Sequence, residues 1–218
     1  MILLSTYMTD MEDDIRKQIL KLRTSKSPED ILRKSAIIQD ILISTTEYVN
    51  SKNILCYADC RGEVKTGGII DDAINKGKKV FLPLCEKDYS MNFYSIDSME
   101  DCVIGHYGIT EPKACDEKRF SQSDFTRDTL IIVPGVVFDR NRNRMGYSKG
   151  YYDRFLSAHP RLVKMGLCYC SCTCNELIHG RFDVCADMLA TEKYLRKCSD
   201  QSKTEQGRTD KTDGKKGR

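Results

Sequence analysis

Strands alternating with amphipathic helices over residues 11–198 predict an α/β fold, a three-layer, mainly parallel sheet with helices on both faces. Three observations carry this. Ile15, Ile19 and Leu22 recur at helical spacing. The run Thr129-Leu130-Ile131-Ile132-Val133-Pro134-Gly135 is apolar without alternation, as a strand buried on both faces must be. The chain has 218 residues, 40% hydrophobic and 31% charged, enough to close a core and far from a disordered composition.

Taken in order, Ile15–Leu22 marks a first helix. Ser27-Pro28-Glu29-Asp30 opens a second, with serine as N-cap, proline at the first helical position and acids in the first turn, and with Ile31, Ile38 and Leu42 as its apolar stripe. Asn53-Ile54-Leu55-Cys56-Tyr57 reads as a strand. Asp71–Gly77 reads as a helix end with its C-terminal glycine. Lys79–Pro83 is a strand expected to end at the proline. After the strand at 129 comes a helix over Gly150–Ala158, then strands near Val163–Cys170 and Leu189–Tyr194. No linker or repeat interrupts 11–198, so one doubly wound, Rossmann-like open sheet is expected, between a flexible N-terminus at 1–10 and a disordered basic tail at 199–218. Ligands of such sheets bind beyond the carboxyl ends of the strands.

Charge and cysteine usage narrow the function. The net charge of +3 lies in the tail, where residues 201–218 hold six basic and three acidic side chains and no apolar one. The body is neutral, which weighs against nucleic-acid binding. No apolar run approaches the ~20 residues that span a bilayer. The N-terminus has acids at Asp10, Glu12, Asp13 and Asp14 and no leader pattern, so a cytoplasmic setting is expected. The 11 cysteines are expected as reduced thiols. Cys168, Cys170, Cys172 and Cys174 alternate and on a strand would share one face, as packing residues rather than a zinc site.

The chemistry is concentrated after the buried strand, in Pro134-Gly135-Val136-Val137-Phe138-Asp139-Arg140-Asn141-Arg142-Asn143-Arg144-Met145-Gly146-Tyr147-Ser148-Lys149-Gly150-Tyr151-Tyr152-Asp153-Arg154. A Lys-Gly pair at a helix start offers backbone N–H groups and a cation to an anion. Asp153 is placed to hold a divalent metal beside phosphates. The segment is neither a Walker A loop nor a G-x-G-x-x-G turn, so these residues leave two readings: a phosphate site, or a loop of solvated charges.

The whole ordered pattern resembles the 5-formyltetrahydrofolate cyclo-ligase (5,10-methenyltetrahydrofolate synthetase) family. Beside the segment from Val133 to Leu156, Arg16 with Ser27…Arg33-Lys34-Ser35 resembles its N-terminal helices, and Glu63-Val64-Lys65-Thr66 its Glu-x-x-Thr. Tyr107-Gly108-Ile109-Thr110-Glu111-Pro112 resembles its Gly-Ile-x-Glu-Pro, and Asp183…Asp187…Thr191-Glu192 its acidic C-terminal motif. The resemblance implies ATP- and magnesium-dependent cyclisation of 5-formyltetrahydrofolate to 5,10-methenyltetrahydrofolate with release of ADP and phosphate. It implies Lys149 and Arg144 as catalytic cations. ATP would be bound by Arg16 and by Arg144, Met145, Gly146, Tyr147, Ser148, Lys149, Gly150, Tyr151 and Tyr152. Folate would be bound by Glu63 and by Tyr147, Ser148, Lys149, Gly150 and Tyr151, and magnesium by Asp153 and Asp183.

Singly, each of these has a plainer role: Asp153 as a helix cap or ion pair, Glu63 as a loop acid, Asp183 as a turn residue, the tyrosines as packing. Their joint order overrides that. The chain also departs from the family pattern. Glu12 stands in place of a lysine that meets the nucleotide, Arg142 and Ser148 replace glycines, and Cys172 and Ile178 replace a glutamine and a proline. Two other classes stay open: a catalytically weak folate-binding paralogue, and a nucleic-acid-binding relative using the basic tail. A monomer with no membrane partner is expected.

Overall fold

In the computed structural model, which describes residues 2–105, 108–178, 180 and 182–198, seven strands form the central sheet. They are β1 (Asn53–Leu55), β2 (Lys79–Cys85), β3 (Met91–Ile96), β6 (Thr129–Pro134), β9 (Val163–Leu167), β10 (Met188–Ala190) and β11 (Leu195–Lys197). Two small hairpins lie outside it, β4 (Cys102–Ile104) with β5 (Thr110–Pro112), and β7 (Val137–Phe138) with β8 (Arg144–Met145). The helices are α1 (Ile2–Thr24), α2 (Pro28–Ile43), α3 (Thr46–Asn50), α4 (Gly67–Asn75) and α5 (Tyr151–Ala158). The tail at 199–218 and Tyr107 lie outside the described residues.

Across the sheet the order is β11-β10-β9-β6-β1-β2-β3. The inner five strands are parallel, and only the edges β3 and β11 run antiparallel. The chain winds from β1 to β2 in one direction and from β6 through β9 to β10 in the other. β1 and β6 therefore flank a switch point, where their carboxyl ends open a crevice.

Alternation along the strands decides what each face buries. Ile54, Leu130 and Ile132 pack with Ile38 and Leu42 of α2 and Ile69, Ile70 and Ala73 of α4. Leu55, Ile131 and Val133 point the other way, to Leu156 of α5 and to Phe81, Phe93 and Phe120. The expected unalternating strand at 129 is thus buried on both faces. The cap of α2 is also as expected, with the Ser27 hydroxyl accepting from Asp30 N at 3.1 Å.

Several elements differ from the sequence reading. Residues 2–10, expected as a flexible N-terminus, are the opening turns of α1, and no glycine or proline interrupts 2–24. Pro83 does not end β2: β1 pairs only as far as Phe81, so the missing N–H of Pro83 faces no ladder on that side, and the antiparallel pairing with β3 continues to Cys85. The strand at 163 stops at Leu167, and Cys170–Cys172 forms a 3₁₀ turn, so the four alternating cysteines do not share a strand face. Cys168 and Cys172 are buried, Cys170 and Cys174 half-buried, and all four are free thiols. The expected strand at 189–194 is β10 followed by a turn into β11. No helix among the described residues is long and apolar enough to cross a membrane.

Helix α1 carries the largest surprise of orientation. Leu22 is 43% exposed, while Arg23 beside it is 2% exposed. The inner face of this helix runs through Ile15, Ile19 and a guanidinium, because its end packs on polar loops rather than on the sheet. Leu22→Ala should therefore leave stability within about 0.5 kcal/mol of wild type. Leu42→Ala should cost about 2–5 kcal/mol, both measured by urea unfolding.

Candidate active site

Two loops meet at the switch point. The first leaves β1 and carries Tyr57, Cys60, Arg61 and Glu63 into α4. The second leaves β6 and runs through the β7–β8 hairpin into α5. Between them and the β2–β3 hairpin lies a cleft of ≈ 340 Å³, walled by Pro83, Met91, Ile109 and Tyr151 and edged by Glu63, Arg144, Lys149 and Asp153. This is the size and mixture of a small-molecule site.

The second loop is held from beneath by Asp139, which is buried. Its carboxylate accepts from Asn141 N (2.8 Å), Asn143 N (2.9 Å), Asn143 Nδ2 (2.8 Å) and Leu177 N (3.1 Å), closing the hairpin turn. Phe138 lies against Gly135 and Gly166, where an added Cβ would come within 2.4 Å and 2.5 Å of its ring. The positions where glycines are replaced, Arg142 and Ser148, have φ of 68° and 77°. The left-handed backbone of the glycine pattern is therefore kept by side chains that disfavour it. Gly150, with φ 66°, is the N-cap of α5.

Arg144 leaves β8 buried and donates from Nη2 to Asp153 Oδ1 at 2.7 Å. Its guanidinium lies 5.6 Å from the Tyr152 ring centroid. Arg144 Nε and the Tyr152 hydroxyl are buried without a partner, two polar groups left for a ligand at the cleft wall. Burial pushes the Tyr152 phenol well above its ordinary pKa, so it stays a donor. Lys149 is exposed at the cleft edge, its ammonium 5.7 Å from the Tyr89 ring. Arg154 ties the same corner, donating to Tyr89 O (3.1 and 2.7 Å) and Lys149 O (2.7 Å).

Glu63 is 5% exposed. It accepts from Cys60 N at 3.0 Å and Tyr147 OH at 3.0 Å, and Arg23 stands 4.0 Å away. Burial pushes its carboxyl above the usual range and outweighs Arg23 and the hydrogen bonds, which pull it down. The Cys60 thiol is pushed up to about 12, by burial first and Glu63 second, and so stays protonated and unreactive at neutral pH.

The cleft brings together Glu63, Arg144, Tyr147, Lys149, Gly150, Tyr151, Tyr152 and Asp153. Arg16 is not in its lining but bonds the loop from behind, Nε to Gly146 O at 2.9 Å. The Met145 side chain packs away from the cleft with Val137 and Leu177. Gly146 and Ser148 belong to the loop without lining the cleft. Asp183 is also outside the lining, in an exposed turn where its carboxylate accepts from Gly180 N at 2.7 Å. No group of three or more metal-ligating side chains occurs among the described residues. The sequence reading missed Arg23, Arg61 and Tyr89. Arg23 had a signal, lying two turns from Arg16 on one helix face.

A doubly wound α/β protein with a ligand cleft at the switch point is the class these features define. Within that class, residues 8–192 match the model of the 5-formyltetrahydrofolate cyclo-ligase family, and the chain belongs to that family. It is 33% identical over 165 residues to a Schizosaccharomyces pombe protein named "Probable 5-formyltetrahydrofolate cyclo-ligase", covering 70% of this chain and 80% of that one. It is 31% identical over 146 residues to the 5-formyltetrahydrofolate cyclo-ligase of Mus musculus, covering 65% and 71%. Its fold matches the NMR structure of Aquifex aeolicus 5,10-methenyltetrahydrofolate synthetase with a TM-score of 0.74 at 31% identity, over 86% of this chain and 92% of that one.

Ser148→Gly should melt at or above the wild-type temperature, since glycine adopts the positive φ freely. Ser148→Val, β-branched in that region, should cost at least about 1–2 kcal/mol. Thermal melts of the two variants check the sign of each.

Proposed function

We propose that the cleft carries out the ATP- and magnesium-dependent cyclisation of 5-formyltetrahydrofolate to 5,10-methenyltetrahydrofolate. The observation that carries this reading is one cleft that joins Glu63, from the loop after β1, to the Arg144–Asp153 segment after β6. Magnesium-ATP, when bound, supplies the phosphoryl group that turns the formyl oxygen into a leaving phosphate, so that the neighbouring aniline nitrogen can close the ring.

The residues present suit that ligand. The partnerless Arg144 Nε and Tyr152 hydroxyl supply donors, and the N-terminus of α5 adds backbone N–H groups beside Lys149. Glu63 supplies a buried acceptor for the amino and amide N–H groups of a pterin. Arg144 and Lys149 neutralise the charge that moves with the phosphate, and the apolar wall of Pro83, Met91 and Ile109 keeps water from the reacting carbon. Arg16 supports the loop through the Gly146 carbonyl, and the loop meets the cleft through Tyr147, Lys149, Gly150, Tyr151 and Tyr152, which would face the nucleotide. Asp153 at the cleft edge would supply one carboxylate for magnesium, with phosphate oxygens and water completing the shell, and Asp183, outside the cleft lining, is proposed as a second on the family motif alone. A cytoplasmic monomer is proposed beside the cyclisation, on the sequence reading alone. Formation of methenyltetrahydrofolate, followed by absorbance with magnesium and ATP, tests the cyclisation, and binding without turnover would favour the weak paralogue.

Lys149→Ala should lower kcat by about two to three decades, as expected for one lost charge on a transferring group, at unchanged melting temperature. Wild-type turnover would remove Lys149 from the chemistry. Asp183→Asn, in an exposed turn, should raise the magnesium concentration needed for turnover and leave 5-formyltetrahydrofolate binding intact. Asp153→Asn should do the same and also loosen Arg144. The double variant should be little worse than the worse single one. An unchanged magnesium titration in Asp183→Asn would exclude it.

A further inference from the structure

Arg23 lies outside every motif on which the family resemblance rests, yet its guanidinium sits at the junction of the site. Nε donates to Arg61 O at 3.1 Å, Nη1 to Gly135 O at 3.1 Å, and Nη2 to the Tyr147 hydroxyl. These acceptors lie on the loop after β1, the loop after β6 and the segment after β8. Tyr147 passes the connection on, since its hydroxyl donates to Glu63 Oε1. The Arg23 and Arg61 guanidinium carbons lie 5.6 Å and 5.3 Å from the Tyr147 ring centroid. Behind the glutamate, the Tyr169 hydroxyl donates to Glu63 O at 3.0 Å.

We propose that Arg23 is a positioning residue for substrate recognition, holding the Glu63 carboxylate charge-balanced and oriented at the cleft wall and joining it through Tyr147 to the Gly146–Gly150 loop. This rests on the proposed function, in which Glu63 holds the folate. A glutamate buried to this degree needs a counter-charge to accept hydrogen bonds as an anion. Arg23 on α1 is the buried cation facing it. The other groups around it are Cys60 and Arg61 on its own loop, Tyr57 after β1, Tyr147 after β8, Tyr152 on α5 and Tyr169 after β9. Cys60 and the four tyrosines remain neutral at physiological pH, and Arg61 is exposed. Without Arg23, burial acts on Glu63 unopposed from α1, so its protonation moves further up in pH and the anion is lost from the acid side first.

The test uses the full-length chain with Arg23→Met, Arg23→Lys, Glu63→Gln and the double variant Arg23→Met/Glu63→Gln. Arg23→Met should raise KM for 5-formyltetrahydrofolate about tenfold or more, with kcat within about threefold. The acid limb of its KM–pH profile should move to higher pH, and Arg23→Lys, which keeps the charge, should restore most of the loss. The double variant should bind 5-formyltetrahydrofolate as well as Glu63→Gln does. An Arg23→Met enzyme with wild-type KM and pH profile overturns the proposal. If Arg23→Met fails to fold, the double variant decides. Folding with the affinity of Glu63→Gln supports the proposal. Failure to fold, or binding at least about tenfold weaker than Glu63→Gln, shows that Arg23 holds only the frame. Ligand-free melts separate this from the proposed function. Where Arg23→Met folds, it should lower the melting temperature less in the Glu63→Gln background than in wild type, whether or not the enzyme cyclises folate.

Discussion

The buried Arg23 guanidinium, 4.0 Å from Glu63, ties two loops to a helix. Neither charge could sit there alone, because desolvation of an unpaired ion in such a place costs several kcal/mol. The guanidinium offsets this with donors in three directions, onto Arg61 O, Gly135 O and Tyr147, while Glu63 takes donors from Cys60 and Tyr147. A lysine would keep the charge that faces Glu63 and lose part of the fork to Arg61 O and Gly135 O, which holds the loops. The orientation of α1 follows: to bring Arg23 inward, it turns Leu22 to solvent.

The sheet supplies the place for this contact. With β1 only three residues long, the chain leaves the sheet early between β2 and β6, and Tyr57 to Glu63 fold over the strand ends. On the other side of the crevice, Asp139 gathers three backbone N–H groups and the Asn143 side chain, and so holds a hairpin too short to be stable alone. Both loops are thus rigid for reasons other than regular secondary structure. Positively charged groups can then be kept at fixed positions in a partly apolar cleft, where their field is least screened.

Within this frame the glycine-rich segment tolerates substitution at a conformational cost. Arg142 and Ser148 occupy left-handed backbone that glycine would enter freely. Arg142 gains a compensating bond, donating from Nε to Ala186 O at 3.0 Å, with Ala186 N returning to Arg142 O at 3.1 Å. This anchors the hairpin to the segment that leads into β10. Ser148 is exposed and shows no such return among the described residues. The backbone path through this segment is therefore imposed by the surrounding packing and not by the local residue.

The sequence by itself determined the parallel core, the cap of α2, the unalternating central strand and the segment that lines one side of the cleft. These rest on local signals: periodicity, turn residues and the order of motifs along the chain. It did not show the antiparallel edges: β3, six residues long, and β11, a three-residue strand that a turn separates from β10. Nor could it show that the alternating cysteines leave the strand at Leu167, since period two alone does not tell a strand from a turn that follows it. Tertiary structure alone decided which side of α1 faces inward, which Arg144 oxygen partner Asp153 becomes, and that Arg23 meets Glu63. Those contacts join residues 9, 40 and more positions apart, and their energies come from burial and counter-charge, which no local pattern of residue types encodes.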